Sequence, residues 1–252
     1  MAEFPRIIAH RGASSLAPEN TVAAFAKCID LGVQWFEFDV DIIGDGTLIV
    51  IHDQTLDRTT DKSGPYYKLN YSDLRKIDAG AWFAPTFRFE RIPELASVLG
   101  LIRDNPLRAN LEIKPCLGGD ELRRELVTRV ARSLKELEGR AADKILVSSF
   151  DHEQLAWFHE KRPDIPTGYL FDRETQDQDA WRTEAAELGC LAIHPDDNGL
   201  TRDEVAAMRD AGFEVNVWTV DDVDRARELA EWGVNGIFTN RPQDFPAEAY
   251  AI

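Results

Sequence analysis

One short stretch, Trp35-Phe36-Glu37-Phe38-Asp39-Val40-Asp41, sets carboxylates among large apolar side chains. Aromatic and β-branched residues at this density predict a buried β-strand. Side chains two residues apart in a strand point the same way, so Glu37 and Asp39 share one face. Two carboxylates on one face of a buried strand repel each other and lose hydration. A bound divalent cation would resolve that conflict.

Working outward from this strand, short apolar strands alternate with amphipathic helices. Strands are predicted at Arg6–Arg11, Trp35–Asp41, Arg108–Lys114, Lys144–Phe150, Pro166–Phe171, Cys190–Pro195, Glu214–Val220 and Gly236–Asn240. Helices fall between them, for example at Glu121–Glu138, His152–Lys161, Arg202–Ala211 and Asp221–Trp232, and left-handed C-caps are expected at Gly32, Gly189, Gly212 and Gly233. Eight β-then-α units predict an α/β protein with a closed (β/α)8 TIM barrel. An open doubly wound sheet is the alternative, but no G-x-G-x-x-G turn follows the first strand.

The segment after the second strand departs from this rhythm. Gly-Asp-Gly at 44–46 predicts a turn, and Leu48–Asp53 predicts another strand, so the two strands form a hairpin. A two-residue turn at 45–46 places His52 directly opposite Asp39. A shift of one residue would move His52 to the other face, so its position depends on this register.

Residues 54–91 follow the hairpin and are rich in aromatic side chains: Tyr66, Tyr67, Trp82, Phe83, Phe87 and Phe89. We interpret this segment as a small insertion over the barrel mouth, within a single domain that spans residues 1–252. Its aromatic residues are expected to form a small core of their own.

The composition restricts the function classes. With 29 basic and 45 acidic side chains the formal net charge is −16, which repels nucleic acid and anionic lipid surfaces at long range. An anionic substrate would need positive charge from a metal or from a few Arg and Lys residues. The three cysteines lack metal-ligand spacing, no leader precedes the first strand, and no apolar run matches a membrane span. We therefore expect a cytoplasmic protein with reduced thiols and no membrane insertion.

Active sites of such barrels form at the C-terminal ends of the strands. The third strand carries Glu112 and Lys114 on one face, and Glu112 would join Glu37 and Asp39 from the neighbouring strand. Oxygen ligands of this kind suit Mg²⁺ or Ca²⁺ better than Zn²⁺. Each acid alone would more simply pair with an Arg or Lys neighbour, but the three together favour a metal site.

His10 and His52 would approach this acidic cluster from the first strand and from the hairpin. Phosphodiester cleavage needs a base for the attacking oxygen and an acid for the leaving oxygen, and histidine can serve as either. Arg11 and Lys114 supply positive charge for a phosphate; alternatively, they form salt bridges with the same acids.

Two later strand ends are weaker candidates for the pocket wall. Trp218 ends the seventh strand and could pack on the carbon skeleton of a substrate, or belong to the core. His194 ends the sixth strand and could also line the pocket.

An ordered set of short motifs runs through nearly the whole chain: His10-Arg11-Gly12, Pro18-Glu19-Asn20-Thr21, Glu37-Phe38-Asp39-Val40, His52-Asp53, Leu56-Asp57-Arg58-Thr59-Thr60, Leu111-Glu112-Ile113-Lys114-Pro115, and, less distinctively, Ser148-Ser149-Phe150 and Val217-Trp218-Thr219-Val220. This set resembles the glycerophosphodiester phosphodiesterase family, in its bacterial cytoplasmic branch. The resemblance implies a barrel with an insertion after the His52 segment. It also implies His10 and His52 as the acid/base pair, Glu37, Asp39 and Glu112 as metal ligands, and Arg11 and Lys114 as phosphate contacts.

The sequence therefore predicts a metal-dependent enzyme that hydrolyses glycerophosphodiesters to glycerol 3-phosphate and an alcohol. Three alternatives remain: a lysophospholipase D-type or other phosphodiesterase on the same barrel, a non-catalytic glycerophosphodiester-binding module, and a lyase or aldolase that uses Lys114 as a Schiff-base amine. The last is ranked lowest because flanking acids favour the charged form of Lys114.

Overall fold

The structure, a computed structural model, describes residues 4–137, 139–173 and 180–250. Its strands are β1 (Arg6–Ala9), β2 (Trp35–Ile42), β3 (Leu48–Val50), β4 (Arg108–Ile113), β5 (Ile145–Ser149), β6 (Thr167–Phe171), β7 (Ala192–Pro195), β8 (Glu214–Val217) and β9 (Gly236–Thr239). All except β3 are parallel and follow the order β1-β9-β8-β7-β6-β5-β4-β2. Because β1 also pairs with β2, the sheet closes, and the predicted eight-stranded barrel is confirmed.

Helices connect the strands: α1 (Val22–Leu31), α2 (Tyr71–Leu74), α3 (Leu95–Asp104), α4 (Asp120–Ser133), α5 (Ala141–Lys144), α6 (His152–Lys161), α7 (Trp181–Glu187), α8 (Arg202–Asp210) and α9 (Val223–Trp232). The predicted helix at Glu121–Glu138 is shorter than expected, since it tightens into a 3₁₀ turn at Leu134–Leu137; residue 138 lies outside the described residues. Gly32 and Gly233 end α1 and α9 in the predicted left-handed conformation, with φ of 80° and 91°. Within the described ranges, no helix has the length and apolar character that a bilayer span requires.

The alternation of side chains along β2 divides the core from the site. Phe36 and Phe38 point outward and pack on Phe25 of α1, with ring centroids 4.8 and 6.0 Å from that ring. Each fully buried aromatic or aliphatic side chain contributes about 1.5–3 kcal/mol of transfer free energy. Burial of these rings orients β2 so that the intervening carboxylates, Glu37 and Asp39, face the barrel interior.

The hairpin forms where it was predicted, but the predicted register differs from the observed register by one residue. Val40 pairs with Val50, and Ile43 N donates to Thr47 O at 3.0 Å. Gly46 N donates to Ile43 O at 2.8 Å, and Gly46 has a φ of 87°. These bonds define a three-residue loop with a left-handed glycine at its end, rather than the predicted two-residue turn.

This register places Ile51, not His52, beside Asp39, and Ile51 N donates to Asp39 O at 3.1 Å. The strand ends early, because β3 stops at Val50 rather than at Asp53. His52 therefore lies outside the ladder, and the alternation of strand side chains does not determine its direction.

Residues 54–91 contribute to a second hydrophobic cluster that packs against the hairpin. It contains Leu56, Tyr66, Leu74, Ile77 and Ala79 from this segment, with Ile43, Ile49, Ile51 and Ile92 from its flanks. The expectation that the aromatic residues form this core holds for Tyr66 and, at its edge, Tyr67. It is wrong for Trp82, Phe83 and Phe87, which contact one another instead, and Phe89 is 66% exposed.

A buried carboxylate joins this second cluster to the barrel. Asp41 Oδ2 accepts hydrogen bonds from the hydroxyls of Tyr66 at 2.6 Å and Tyr67 at 2.7 Å. Burial raises the pKa of Asp41, although both tyrosine hydroxyls oppose the shift. Asp41 is the next inward-facing residue after Asp39, so these bonds hold the segment against the strand that carries the acidic cluster.

Tyr66→Phe should lower the free energy of unfolding by about 1–3 kcal/mol, because it removes one partner of a buried carboxylate. Chemical denaturation at constant pH measures this change. Tyr71→Phe is the matched control. Tyr71 is exposed, so loss of its hydroxyl should lower the free energy of unfolding by less than about 0.5 kcal/mol. Equal stabilities of the two variants would contradict the role given to the Asp41 bonds.

Candidate active site

Three carboxylates meet at the barrel mouth, as the sequence predicted. Glu37 and Asp39 lie on β2, and the register of β2 with β4 sets Glu112 directly beside Asp39. One oxygen from each lies within 4.8 Å of the others. The three side chains are buried, with 3%, 1% and 7% of each residue exposed.

Lys114 lies against this acidic cluster. Its Nζ is 2.7 Å from Glu112 Oε1 and 3.2 Å from Asp39 Oδ1. Burial would lower the pKa of Lys114, but the charges of Asp39 and Glu112 raise it instead. Lys114 therefore carries a full positive charge, which disfavours a Schiff-base role.

Arg11 approaches the acids through both its backbone and its side chain. A left-handed turn at Arg11 and Gly12, with φ of 57° and 78°, directs Arg11 N to Glu37 Oε2 at 2.8 Å. The guanidinium Nε lies 3.7 Å from Asp39 Oδ2, and Nη1 donates to Glu19 Oε1 at 2.9 Å. Arg11 thus lies between the acidic cluster and a second carboxylate.

Positive charge compensates the acids only in part. Burial would raise the pKa of Asp39, but Lys114, His52 and Arg11 hold it well below its usual range. Burial raises the pKa of Glu112, although the positive charge of Lys114 acts to lower it. The pKa of Glu37 lies well above its usual range, because burial and the charges of Asp39 and Glu112 all disfavour its ionised form.

The acidic cluster fits a divalent cation. Glu37 Oε1 is buried and has no hydrogen-bond partner among the described residues. Asp39 Oδ1 is also buried, and its contact is the ion pair with Lys114 Nζ at 3.2 Å. Buried polar atoms normally have partners, so Glu37 Oε1 is available as a ligand, and Asp39 Oδ1 would become available if Lys114 moved away. An all-carboxylate set within 4.8 Å suits a hard cation such as Mg²⁺ or Ca²⁺.

His10 follows β1, and its ring lies between Glu37 and a neutral amide. Its Nε2 is 3.9 Å from Glu37 Oε2, and its Nδ1 is 2.8 Å from Asn240 Oδ1. The Nδ2 of Asn240 donates to Asp221 Oδ2 at 2.9 Å, so the amide oxygen must face His10. An amide oxygen only accepts, and His10 therefore carries its proton on Nδ1. Burial, with the nearby Arg11 charge, lowers the pKa of His10 to about 4.

His52 has a different partner, the carboxylate of Asp53. The ring Nδ1 lies 2.7 Å from Asp53 Oδ1, which leaves Nε2 for the pocket. Arg58 donates to both oxygens of Asp53, at 2.7 and 2.8 Å, and the bond from Arg58 is the main cause that lowers the pKa of Asp53. Arg58 also donates twice to Glu19, each bond 2.7 Å long. A chain of hydrogen bonds and ion pairs thus runs from His52 to Glu19, which also binds Arg11.

A pocket with about 450 Å³ of space, partly open to solvent, lies at these groups. Its polar lining comprises His10, Arg11, Glu37, His52, Asn110, Glu112, Ser148, His194 and Thr219, and its apolar lining Phe150, Leu170, Trp218 and Phe238. Both weaker candidates, Trp218 and His194, lie at the pocket, and Trp218 Nε1 donates to His194 O at 2.9 Å. Asp39 and Lys114 are not among the lining residues; Lys114 contacts Asp39 and Glu112 below the surface of the pocket.

The sequence analysis assigned no role to several residues that line the pocket or contact its side chains. Asn110 precedes Glu112 by two residues on the same strand face, so the alternation that identified Glu112 could also have identified it. Ser148 lies beside Glu112 only because β5 pairs with β4 in that register. Asn240 reaches His10 across the closure of the barrel, which no local pattern reveals.

Fold and side chains together define a (β/α)8-barrel protein with a carboxylate cluster of divalent-cation type beside two histidines. The model of the glycerophosphoryl diester phosphodiesterase family matches residues 10–244, and the chain belongs to that family. A glycerophosphodiester phosphodiesterase of Caldanaerobacter subterraneus subsp. tengcongensis is 33% identical over 237 residues, which cover 94% of each chain. The sequence-based prediction of a phosphodiesterase of this family is therefore confirmed.

Solved structures agree with this assignment. A phosphodiesterase from Oleispira antarctica, in complex with the product sn-glycerol-3-phosphate, superposes with a TM-score of 0.86 at 32% identity, and the match covers 96% of this chain and 95% of that one. A glycerophosphodiester phosphodiesterase from Agrobacterium tumefaciens gives a TM-score of 0.79 at 29% identity, with 94% and 97% coverage.

Asp53→Asn should lower kcat by about 10²–10⁴-fold, because an amide neither stabilises a positive His52 ring nor enforces its tautomer. Steady-state kinetics on a glycerophosphodiester measure the loss. Asp57→Asn is the control, since Asp57 lies in the same segment but bonds to Gly64 N rather than to His52. An Asp53→Asn variant as active as Asp57→Asn would show that Asp53 does not act through His52.

Proposed function

We propose that this protein hydrolyses glycerophosphodiesters to glycerol 3-phosphate and an alcohol, by metal-dependent acid/base catalysis with His10 and His52. The observation that carries this proposal is one pocket in which two histidines with different partners lie beside a buried acidic cluster, where Glu37 Oε1 has no hydrogen-bond partner among the described residues. The product complex of the Oleispira antarctica phosphodiesterase supports glycerol 3-phosphate as the product.

In this proposal Glu37, Asp39 and Glu112 hold the divalent cation, Mg²⁺ or Ca²⁺. When bound, such an ion neutralises charge on the phosphodiester and stabilises the transition state. The three acids outnumber the two nearby cations, Arg11 and Lys114, so a divalent ion also relieves their repulsion.

Arg11 and Lys114 are the proposed phosphate contacts. Arg11 already lines the pocket, and Glu19 holds its guanidinium from behind. Lys114 is bonded to Asp39 and Glu112 in this structure. Its ammonium becomes available to a phosphate oxygen when those carboxylates serve as ligands instead. Trp218 packs on the carbon skeleton of the substrate at the pocket wall.

The two histidines take separate roles because their partners differ. His10, neutral and with its proton on Nδ1, offers the lone pair of Nε2 as the general base for the attacking oxygen. His52 has a carboxylate behind Nδ1, which stabilises the ring in its positive form. His52 therefore protonates the leaving alcohol through Nε2.

Two further features of the setting belong to the proposal. The partner is a small anionic diester rather than nucleic acid, because the net charge of −16 opposes a polyanion. The three cysteines are free thiols, as expected in the cytoplasm, which we propose as the location.

His10→Ala and His52→Ala should each lower turnover of glycerophosphocholine by about 10²–10⁴-fold. On a glycerophosphate ester of p-nitrophenol the two variants should differ in turnover, because p-nitrophenolate leaves without needing a proton from a general acid. His52→Ala should then recover to within about 10-fold of wild type, whereas His10→Ala stays inactive. Release of glycerol 3-phosphate, with and without a chelator, is the measurement.

His159→Ala serves as the control, because His159 lies on α6 away from the pocket. Recovery of His10→Ala instead of His52→Ala would reverse the assigned roles. Near-wild-type turnover of glycerophosphocholine by both pocket variants, or full activity in chelator, would overturn the proposal.

A further inference from the structure

A groove on the outer surface lies apart from the active site. It runs between the first turn of α1, the short helix α2 and the residues that lead into α3, and among the described residues it shares no lining side chain with the catalytic pocket. The groove has about 930 Å³ of space, partly open to solvent. Its apolar lining comprises Val22, Tyr71, Leu74, Phe89, Ile92 and Pro93. We call these six residues the apolar groove.

Exposed apolar side chains are concentrated in the apolar groove. Eight large apolar residues are exposed within the described ranges, and three of them, Val22, Tyr71 and Phe89, lie here. The buried residues Leu74 and Ile92 belong to the second hydrophobic cluster, so the groove is continuous with packed core. Single exposed apolar residues are ordinary on a protein surface, but a contiguous apolar patch marks a binding surface.

Phe89 has the largest exposed fraction of these side chains, 66%. Its φ of 78° is in the left-handed region, which is unfavourable for a residue with a Cβ atom. The carboxylate of Asp78 holds this conformation, because it accepts hydrogen bonds from the backbone N–H groups of Gly80, Ala81 and Phe89. The fold thus fixes a large aromatic ring at the surface, and buried aromatic anchors dominate the energy of many protein–protein contacts.

Charged residues of both signs line the rim of the apolar groove: Arg75 and Arg91, with Glu90 and Glu94. The side chains of Arg75 and Arg91 donate to uncharged acceptors, a hydroxyl and a carbonyl oxygen. The formal charges of the four residues sum to zero, on a chain with a net charge of −16. Two copies of so acidic a chain repel each other over most of their surfaces. At this rim they can approach, since each arginine can face a glutamate of the other copy.

We propose that the apolar groove binds a second copy of this chain in a two-fold symmetric dimer, with Phe89 of each copy inserted into the groove of the other. A two-fold axis brings the same patch of both copies together, so that patch must be complementary to itself. This patch has both the ring and the groove that accepts it, and it has charges of both signs. The proposal is independent of the function proposed above.

The test is the mass of the protein in solution, measured by sedimentation at several concentrations. The wild-type chain should form dimers, and their proportion should rise with concentration. Phe89→Asp should weaken dimerisation by about 30-fold or more, because it replaces the apolar anchor with a carboxylate. Aspartate adopts the left-handed backbone more readily than phenylalanine does, so this variant should keep the loop intact.

Leu117→Asp is the matched control, because Leu117 is 65% exposed, almost as much as Phe89, and does not line the groove. This variant should dimerise as the wild type does, and far-UV circular dichroism should show that both variants are folded. A wild-type chain that stays monomeric at its highest soluble concentration would overturn the proposal, and so would equal dimerisation of the two variants. A monomeric wild type would leave the groove to a different protein.

A charge exchange tests the two-fold arrangement. One variant carries Arg75→Glu and Arg91→Glu, and a second carries Glu90→Arg and Glu94→Arg. Each alone should be monomeric, because its rim then meets a rim of the same sign, whereas an equimolar mixture should form heterodimers. Folded variants that dimerise alone as the wild type does, or that stay monomeric when mixed, would contradict the symmetric contact.

Discussion

Repulsion between buried carboxylates is the constraint on which the site depends. Glu37, Asp39 and Glu112 face one another within 4.8 Å inside the barrel mouth, where water screens them poorly. The barrel imposes this proximity, because the outward aromatic residues of β2 and the pairing of β2 with β4 leave these acids no other direction. Lys114 and Arg11 offset part of the repulsion, and a divalent cation would offset the rest.

The same constraint explains why the surrounding network is so extensive. Asn20 Nδ2 donates to Asp39 at 2.7 Å, and Glu19, in the same loop, binds both Arg11 and Arg58. This loop and the segment after the hairpin therefore hold Asp39, Arg11 and His52 in one connected set. Distant strand ends complete the arrangement, since Asn240 after β9 sets the tautomer of His10.

Much of the fold and of the candidate site could be predicted from the sequence, and the features that could not have physical reasons. Alternation within β2 and β4 predicted that the acids would converge, because strand periodicity is local information. His52 was placed correctly for the wrong reason: the predicted register was off by one, and the early end of β3 freed His52 from that register. The roles of Asn240 and Ser148 could not be predicted, since they arise from neighbours that the closed barrel brings together.

Diffraction from crystals soaked in Mn²⁺ would test the central claim most directly, because this ion scatters anomalously and replaces Mg²⁺ at oxygen ligands. The account predicts one strong anomalous peak within bonding distance of Glu37, Asp39 and Glu112, with Lys114 moved away from those carboxylates. A cluster that remains bonded to Lys114 and shows no peak at saturating Mn²⁺ would contradict it.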